Sequence, residues 1–297
     1  MLLKNKPAVA IIGAGRVGSA LAVALAQKGY PLAGVASRTR ASAEKLAARV
    51  GAPSSTSPVE AVKKAGVIFI TTPDRTIARV AVEIARRNGF HAGQVVAHTS
   101  GAHSAGILAP VRNAGATIAS MHPLQSFAGV EQAVQNLPGS YFSLEGDTAA
   151  VRVLAGIVHD LGGRYFTLDA GDKALYHTAA CIASNYLVSL LHMAAELLKA
   201  CGVPYREAPS LLRPLITGTL NNISDIGLPK ALTGPVARGD VNTVREHLKA
   251  LAASPLLRNI EEQYRSLGRY TVEVARAGCY IDNGTAEKIK ELLEEVK

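Results

Sequence analysis

The segment Gly13-Ala14-Gly15-Arg16-Val17-Gly18 follows the apolar run Ala8-Val9-Ala10-Ile11-Ile12 and precedes Ser19 to Gln27, a stretch rich in Ala and Leu. A GxGxxG pattern alone is weak, but a buried strand before it and a helix after it make it the signature of a dinucleotide-binding turn. Each glycine has its own task. Gly13 permits the tight turn, Gly15 lets backbone approach a diphosphate, and Gly18 lets the helix pack closely on the strand. The N–H groups of Arg16, Val17 and Gly18, at the positive end of the helix dipole, would then face the phosphates. A structural strand-turn-helix with no nucleotide is the alternative.

An acid near the end of the second strand, about 20 residues beyond the glycines, would accept hydrogen bonds from the ribose 2′-OH of NAD. None stands there. The run Pro31 to Ala36 ends in Ser37-Arg38-Thr39-Arg40, and the first carboxylate is Glu44. Hydroxyls and a planar guanidinium suit a 2′-phosphate, so Ser37, Arg38 and Thr39 point to NADP. Solvated arginines at a helix start would give the same letters.

At 297 residues the chain has room for two domains, and 48% hydrophobic with 19% charged residues describes an ordinary globular composition. The net charge of +9 favours anionic ligands. Lys and Arg are scattered and Trp is absent, so no basic, aromatic-laced surface for nucleic acid is expected. Cys181, Cys201 and Cys279 form no CxxC and read as reduced, mostly buried thiols of a cytoplasmic protein. The amino terminus runs straight into the first strand, so no secretion signal is expected. The long apolar segment from Lys173 to Cys201 contains His177, Ser184, Asn185, His192 and Glu196, which reads as a buried or interface helix and not a membrane span.

Strands alternate with helices beyond the second strand. A helix over 41–50 and a short one over 58–64 precede the strand Val67-Ile-Phe-Ile70, which stops at Thr71-Thr72-Pro73-Asp74. A helix over 76–88 leads to a strand over 94–97, ending in His98-Thr99-Ser100-Gly101. A helix over 104–113 leads to a strand over 117–120, ending in Met121-His122-Pro123. Further strands are expected over 140–144 and 164–168, with a helix over 148–161 between them. The pattern predicts an α/β amino-terminal domain, residues 1–168, built on a doubly wound and mostly parallel sheet, followed by a nearly all-helical domain, residues 169–297. Ligands bind such sheets at the carboxyl ends of the strands. Thr72, Pro73 and Ser100 are therefore expected at the cofactor and His122 at the substrate.

The glycine turn, Ser37-Arg38-Thr39, His98-Thr99-Ser100-Gly101-Ala102, Met121-His122-Pro123-Leu124-Gln125-Ser126-Phe127 and Leu232-Thr233-Gly234-Pro235-Val236-Ala237-Arg238-Gly239-Asp240 together resemble one group. It comprises the Rossmann-like proteins with a helical carboxy-terminal domain of unknown function, often labelled NADP oxidoreductases of the deazaflavin-dependent type. The resemblance extends to the 6-phosphogluconate dehydrogenase-like superfamily, which includes ketopantoate reductase, β-hydroxyacid dehydrogenases and pyrroline carboxylate reductase. It implies a Rossmann domain, a helical domain that forms homodimers, and hydride transfer.

Reduction of a carbonyl or imine by NADPH needs a proton donor and contacts that orient the substrate. Lys173 and His177 lie one helical turn apart, with Ser184 on the same stripe and Asn185 about 120° around from Lys173. In several relatives a Lys at the start of this helix protonates the carbonyl oxygen and an Asn four residues on holds the substrate. Lys173 matches, whereas His177 stands where the Asn would be, so either side chain is a candidate catalyst. His122-Pro123 resembles the HP step of prephenate dehydrogenases, and His122, Ser184, Asn185 and Arg238 are the candidate substrate contacts. Histidines 98, 103 and 122 have no carboxylate or thiolate at ligand spacing, so no metal is expected. Asp240 is a good N-cap for a helix over 241–252. The expected activity is NADP-dependent oxidoreduction of a small, anionic carbonyl or imine compound. A prephenate or arogenate dehydrogenase-like enzyme and a non-catalytic NADP sensor are the alternatives.

Overall fold

The computed structural model describes residues 6–294, which divide into two compact units meeting in sequence at Asn185 and Tyr186. The first unit is an eight-stranded sheet with helices on both faces. In chain order its elements are β1 (Val9–Ile12), α1 (Arg16–Gln27), β2 (Leu32–Ala36), α2 (Arg40–Val50), β3 (Ser54–Ser55), α3 (Pro58–Val62), β4 (Val67–Ile70) and α4 (Asp74–Arg86). There follow β5 (Val95–His98), a 3₁₀ segment (Ala105–Ala114), β6 (Thr117–Leu124), α5 (Val130–Asn136), β7 (Tyr141–Gly146), α6 (Thr148–Asp160), β8 (Arg164–Thr167) and α7 (Lys173–Ala180).

The strand order is β3-β2-β1-β4-β5-β6-β7-β8. All neighbours are parallel except β6 and β7. The chain winds outward from β1 to β3, then returns to place β4 beside β1, and that reversal creates the crevice in which doubly wound sheets bind ligands. Both faces are covered, so β1 and β4 are apolar at every position. In β1, Val9 and Ile11 join the core formed with α1 and α6, while Ala10 and Ile12 join the opposite core with α3, α4 and the 3₁₀ segment.

The thiols expected to be mostly buried are not, since Cys201 and Cys279 are exposed and Cys181 is half-buried. Three local expectations of secondary structure are also corrected. The helix expected over 104–113 is a 3₁₀ segment, because Pro110 inside it lacks the N–H that an α-helix needs and its ring crowds the preceding turn. The strand expected to stop at Ser120 continues to Leu124, so His122 and Pro123 lie within β6 and not beyond it. Past Ser120, β6 is paired on one side only, with β7, which leaves an edge where Pro123 costs no ladder bond. The expected single helix after Lys173 contains a π turn, Cys181–Asn185, before it resumes as α8 (Tyr186–Ala200).

The second unit continues with α9 (Ala208–Ile226), α10 (Val241–Ala252), α11 (Arg258–Ala277) and α12 (Asn283–Glu294). Its core is formed by Val244 and Leu248 of α10, Val272 and Ala275 of α11, Ala286, Ile289 and Leu293 of α12, and Val236. Asp240 caps α10 as expected, accepting from the Thr243 N–H at 3.0 Å and from its hydroxyl at 2.6 Å. In contrast, α8 and α9 each bury a single residue, Ala195 and Ala208. Val188 and Leu215 are each 69% exposed, and Leu211, Leu220 and Ile226 are exposed as well. The helical run Ala170–Ala200, with mean hydropathy 1.4, is long and apolar enough to cross a membrane by length and composition alone.

Candidate active site

The glycine turn closes on itself as its sequence requires. Gly13 has φ +120°, and a Cβ there would lie 2.8 Å from the Thr71 carbonyl carbon. A Cβ on Gly18 would lie 2.0 Å from the Gly13 oxygen. The Thr71 hydroxyl locks the turn by donating to that oxygen at 2.7 Å. Gly15 is different, because beyond its own chain neighbours nothing lies within 4 Å of where its Cβ would be. No side chain caps α1, so its first N–H groups face the same open space. An open glycine in front of an uncapped helix fits a diphosphate. Thr72, at the end of β4, has a buried hydroxyl with no hydrogen-bond partner.

The end of β2 also has the groups expected there. Arg40 is held by Glu44 at 2.8 Å, and the Thr39 hydroxyl donates to Ser42. Arg38 is exposed and makes no hydrogen bond or ion pair among the described residues. A shallow groove of about 220 Å³ beside this end is lined by Arg40, Ala43, Ser54, Ser55 and Thr56.

Alternation along β6 and β7 builds the second half of the site. The antiparallel register sets Ser120 opposite Glu145 and His122 opposite Ser143. These four therefore form a polar ladder on one face, while Met121, Phe142 and Leu144 enter the core from the other. Over the ladder lie Lys173 and Tyr176, three residues apart on α7 and so on one side of the helix. Lys173 is 2% exposed, and its ammonium donates to the Ser120 hydroxyl at 2.9 Å. Burial lowers its pKa to about 8, against the opposing pull of Glu145 and Asp74. The Tyr176 hydroxyl and His122 Nδ1 are 2.6 Å apart. Burial, reinforced by the charges of Lys173 and His177, lowers the His122 pKa to about 4, so that imidazole is neutral at pH 7.

His122, Tyr176 and His177 line a cavity of about 810 Å³ together with Arg16, Gln125, Ser126, Phe127, Phe166, Cys181, Ser184 and Asn185. Arg16 belongs to the glycine turn, so cavity and turn adjoin. Gly101 lies beneath the imidazoles, where a Cβ would come within 2.7 Å of His177 and 2.9 Å of His122. Beside it the Ser100 hydroxyl donates to Asp74 at 2.8 Å and accepts from the Ala102 and His103 N–H groups, which fixes the loop after β5. His98 is fully buried, its Nε2 on the Ser104 carbonyl and its Nδ1 accepting from the Ser100 N–H.

Of the expected site residues, Arg16, His122, His177, Ser184 and Asn185 come together in this cavity, and Lys173 sits behind its wall. Arg238 stands exposed on a turn of the second unit. Tyr176, Ser120, Ser143 and Glu145 were not anticipated. Their signal is the alternation Ser120-Met-His122 and Phe142-Ser-Leu-Glu145, with Tyr176 at helical spacing from Lys173. Among the described residues no cluster of His, Cys, Asp or Glu could hold a metal ion.

The fold and its turn define a Rossmann-type nucleotide-binding protein with a helical carboxy-terminal part. Residues 2–123 match the Rossmann-like domain, and residues 140–271 match DUF2520, a domain of unknown function. The second match begins at β7, so it spans part of the sheet as well as helices. Among solved structures, the chain resembles a Bacteroides fragilis protein named for a proposed NADP oxidoreductase activity, with 28% identity, TM-score 0.71, and 88% of this chain and 97% of that one covered. It also has the fold of an imine reductase from Pseudomonas sp., at 18% identity, TM-score 0.64, and 96% and 99% coverage. A third likeness is a reductive aminase from Aspergillus terreus bound to NADPH and ethyl-5-oxohexanoate, at 18% identity, TM-score 0.58, and 98% and 93% coverage. No curated protein matches the chain.

Proposed function

We propose that the protein is an NADP-dependent oxidoreductase that transfers a hydride between the nicotinamide and a small, anionic carbonyl or imine compound. The observation that carries this reading is the shared position of Arg16, which is at once the first residue after the open Gly15 and part of the wall of the cavity that holds His122, Tyr176 and His177. A dinucleotide seated on the turn would end beside those titratable groups. Gly13, Gly15, Arg16, Val17 and Gly18 would hold the diphosphate, with Thr72, Pro73 and Ser100 along the neighbouring strand ends. Ser37, Arg38 and Thr39 would take the 2′-phosphate, and Arg38 is the guanidinium with no other partner. The names of the similar structures, an NADP oxidoreductase and two reducing enzymes, support the same chemistry.

Within the cavity His177, Ser184, Asn185 and His122 would contact substrate, and Arg16 would favour an anionic one. Lys173 acts through its charge from behind the wall. Arg238 remains a candidate substrate contact. The exposed apolar faces of α8 and α9 would be covered by a second copy, giving a homodimer.

Calorimetry tests the cofactor assignment. NADPH is expected to bind more tightly than NADH, and Arg38→Ala is expected to cost about tenfold or more in NADPH affinity, the worth of a charge-assisted hydrogen bond, while leaving NADH binding unchanged. Failure of both nucleotides to bind at millimolar concentration would overturn the reading.

A further inference from the structure

We propose that the Tyr176 hydroxyl is the proton-donating group of the cavity and that His122 is the positioning residue that aims it. The inference rests on the reductase reading and assigns the acid within it.

Three side chains compete for the part. The Lys173 ammonium is directed at Ser120 and does not line the cavity. His177 lines it, but its Nδ1 faces the Cys181 thiol at 3.8 Å, a long contact that fixes the ring poorly. Tyr176 lines the cavity and is fixed from several directions. His122 Nδ1 lies 2.6 Å from its oxygen, and the two rings meet edge to face at 83°. Phe166 packs edge-on at 71° with ring centroids 5.9 Å apart. His122 is itself fixed by its place in β6 and by its contact with Gly101.

Burial raises the Tyr176 pKa, and the buried Ser143 hydroxyl beside it opposes that rise. Lys173 lies 5.5 Å from the centre of the Tyr176 ring, a buried cation that favours negative charge on the phenol. Lys173, His177 and His98 all disfavour a proton on His122, and Asp74 favours one. The imidazole is therefore neutral and can donate from Nδ1 to a phenolate without itself ionising.

The chemistry supplied by a bound reduced nicotinamide is a hydride at the carbon of a C=O or C=N bond. The π electron pair moves to the heteroatom, which forms its new bond to the Tyr176 proton while the phenolic O–H pair stays on oxygen. His122 stabilises that phenolate by hydrogen bonding, and water entering the cavity returns the proton.

Tyr176→Phe keeps the ring packing and removes the acid. With pyruvate and 1-pyrroline-2-carboxylate as anionic carbonyl and imine probes, it is expected to lower kcat at least about 100-fold while the calorimetric affinity for NADPH stays within about twofold. His122→Asn is expected to lower kcat less, about tenfold, with Tyr176 still present. Histidine-labelled NMR supplies a readout free of turnover: the His122 ring resonances, identified by their loss in His122→Asn, are expected to shift in Tyr176→Phe. A wild type that turns over a probe while Tyr176→Phe does so equally well overturns the acid role alone. Unmoved His122 resonances overturn the pairing. A wild type that binds NADPH but reduces no probe overturns the acid role together with the reductase reading.

Discussion

Lys173 shows how one buried charge is tolerated. A solitary ammonium in the interior would be expensive, and here the cost is offset by the Ser120 hydroxyl and by the fields of Glu145 and Asp74. The balance remains unfavourable, since burial lowers its pKa from 10.5 to about 8. Between those values the unfolded chain keeps a proton that the folded protein has shed, so stability rises with pH across that window. The difference corresponds to about 3 kcal/mol. Urea unfolding of the wild type and of Lys173→Met at pH 7.5 and pH 10 is expected to show this gain in the wild type only. His98 and His122 respond at the other end of the scale. Both are held near 4 by burial, so the stability they contribute is complete above pH 6.5 and is lost as pH falls towards 4.

At this scale the sequence announced the residues with obligatory geometry. Gly13 and Gly18 are readable because only glycine fits, and Asp240 because a helix start wants an acceptor. Tyr176 was illegible because an aromatic residue in an apolar helix looks like core until its partner strand is known.

Among the elements, the π turn accounts for the position of Asn185. On a regular helix Asn185 is about 120° from Lys173, but a π turn takes up one extra residue and sets the phase back by about 100°. Asn185 is thus turned towards the side of the helix on which His177 lies, and it lines the cavity beside Ser184. Nothing in the letters Cys181-Ile-Ala-Ser-Asn185 marks this, since π turns arise from how a helix is held at both ends. The strands were the easier part. Continuous apolar runs gave β1 and β4 without ambiguity, whereas β6 was cut short because Pro123 reads as a terminator until one knows that its edge is unpaired. The two walls of the cavity consequently differ in firmness. Amides of β6 that pair with β7 are expected to exchange with deuterium at least about tenfold more slowly than those of Cys181–Asn185, whose side chains beyond Cys181 are exposed and whose hydrogen bonds belong to a single irregular turn.

For the whole molecule, alternation of strands and helices made the doubly wound sheet legible, and the reversal of β7 was the part left open. A crossover to an antiparallel neighbour depends on long-range pairing, and no local pattern in Tyr141–Gly146 records its direction. The second unit was legible as helical but not as unevenly covered. Three helices, α10 to α12, share a core, while α8 and α9 leave Val188, Leu211, Leu215 and Leu220 in the open. Light scattering is expected to give twice the chain mass, and the double variant Val188→Glu, Leu215→Glu is expected to give a monomer.

Covering that pair of helices with a second copy would tie stability to mass action. If a second copy covers them, association is part of folding, and dilution draws the equilibrium towards separated and less protected chains. The melting temperature would then climb with protein concentration in the wild type and stay level in the double variant.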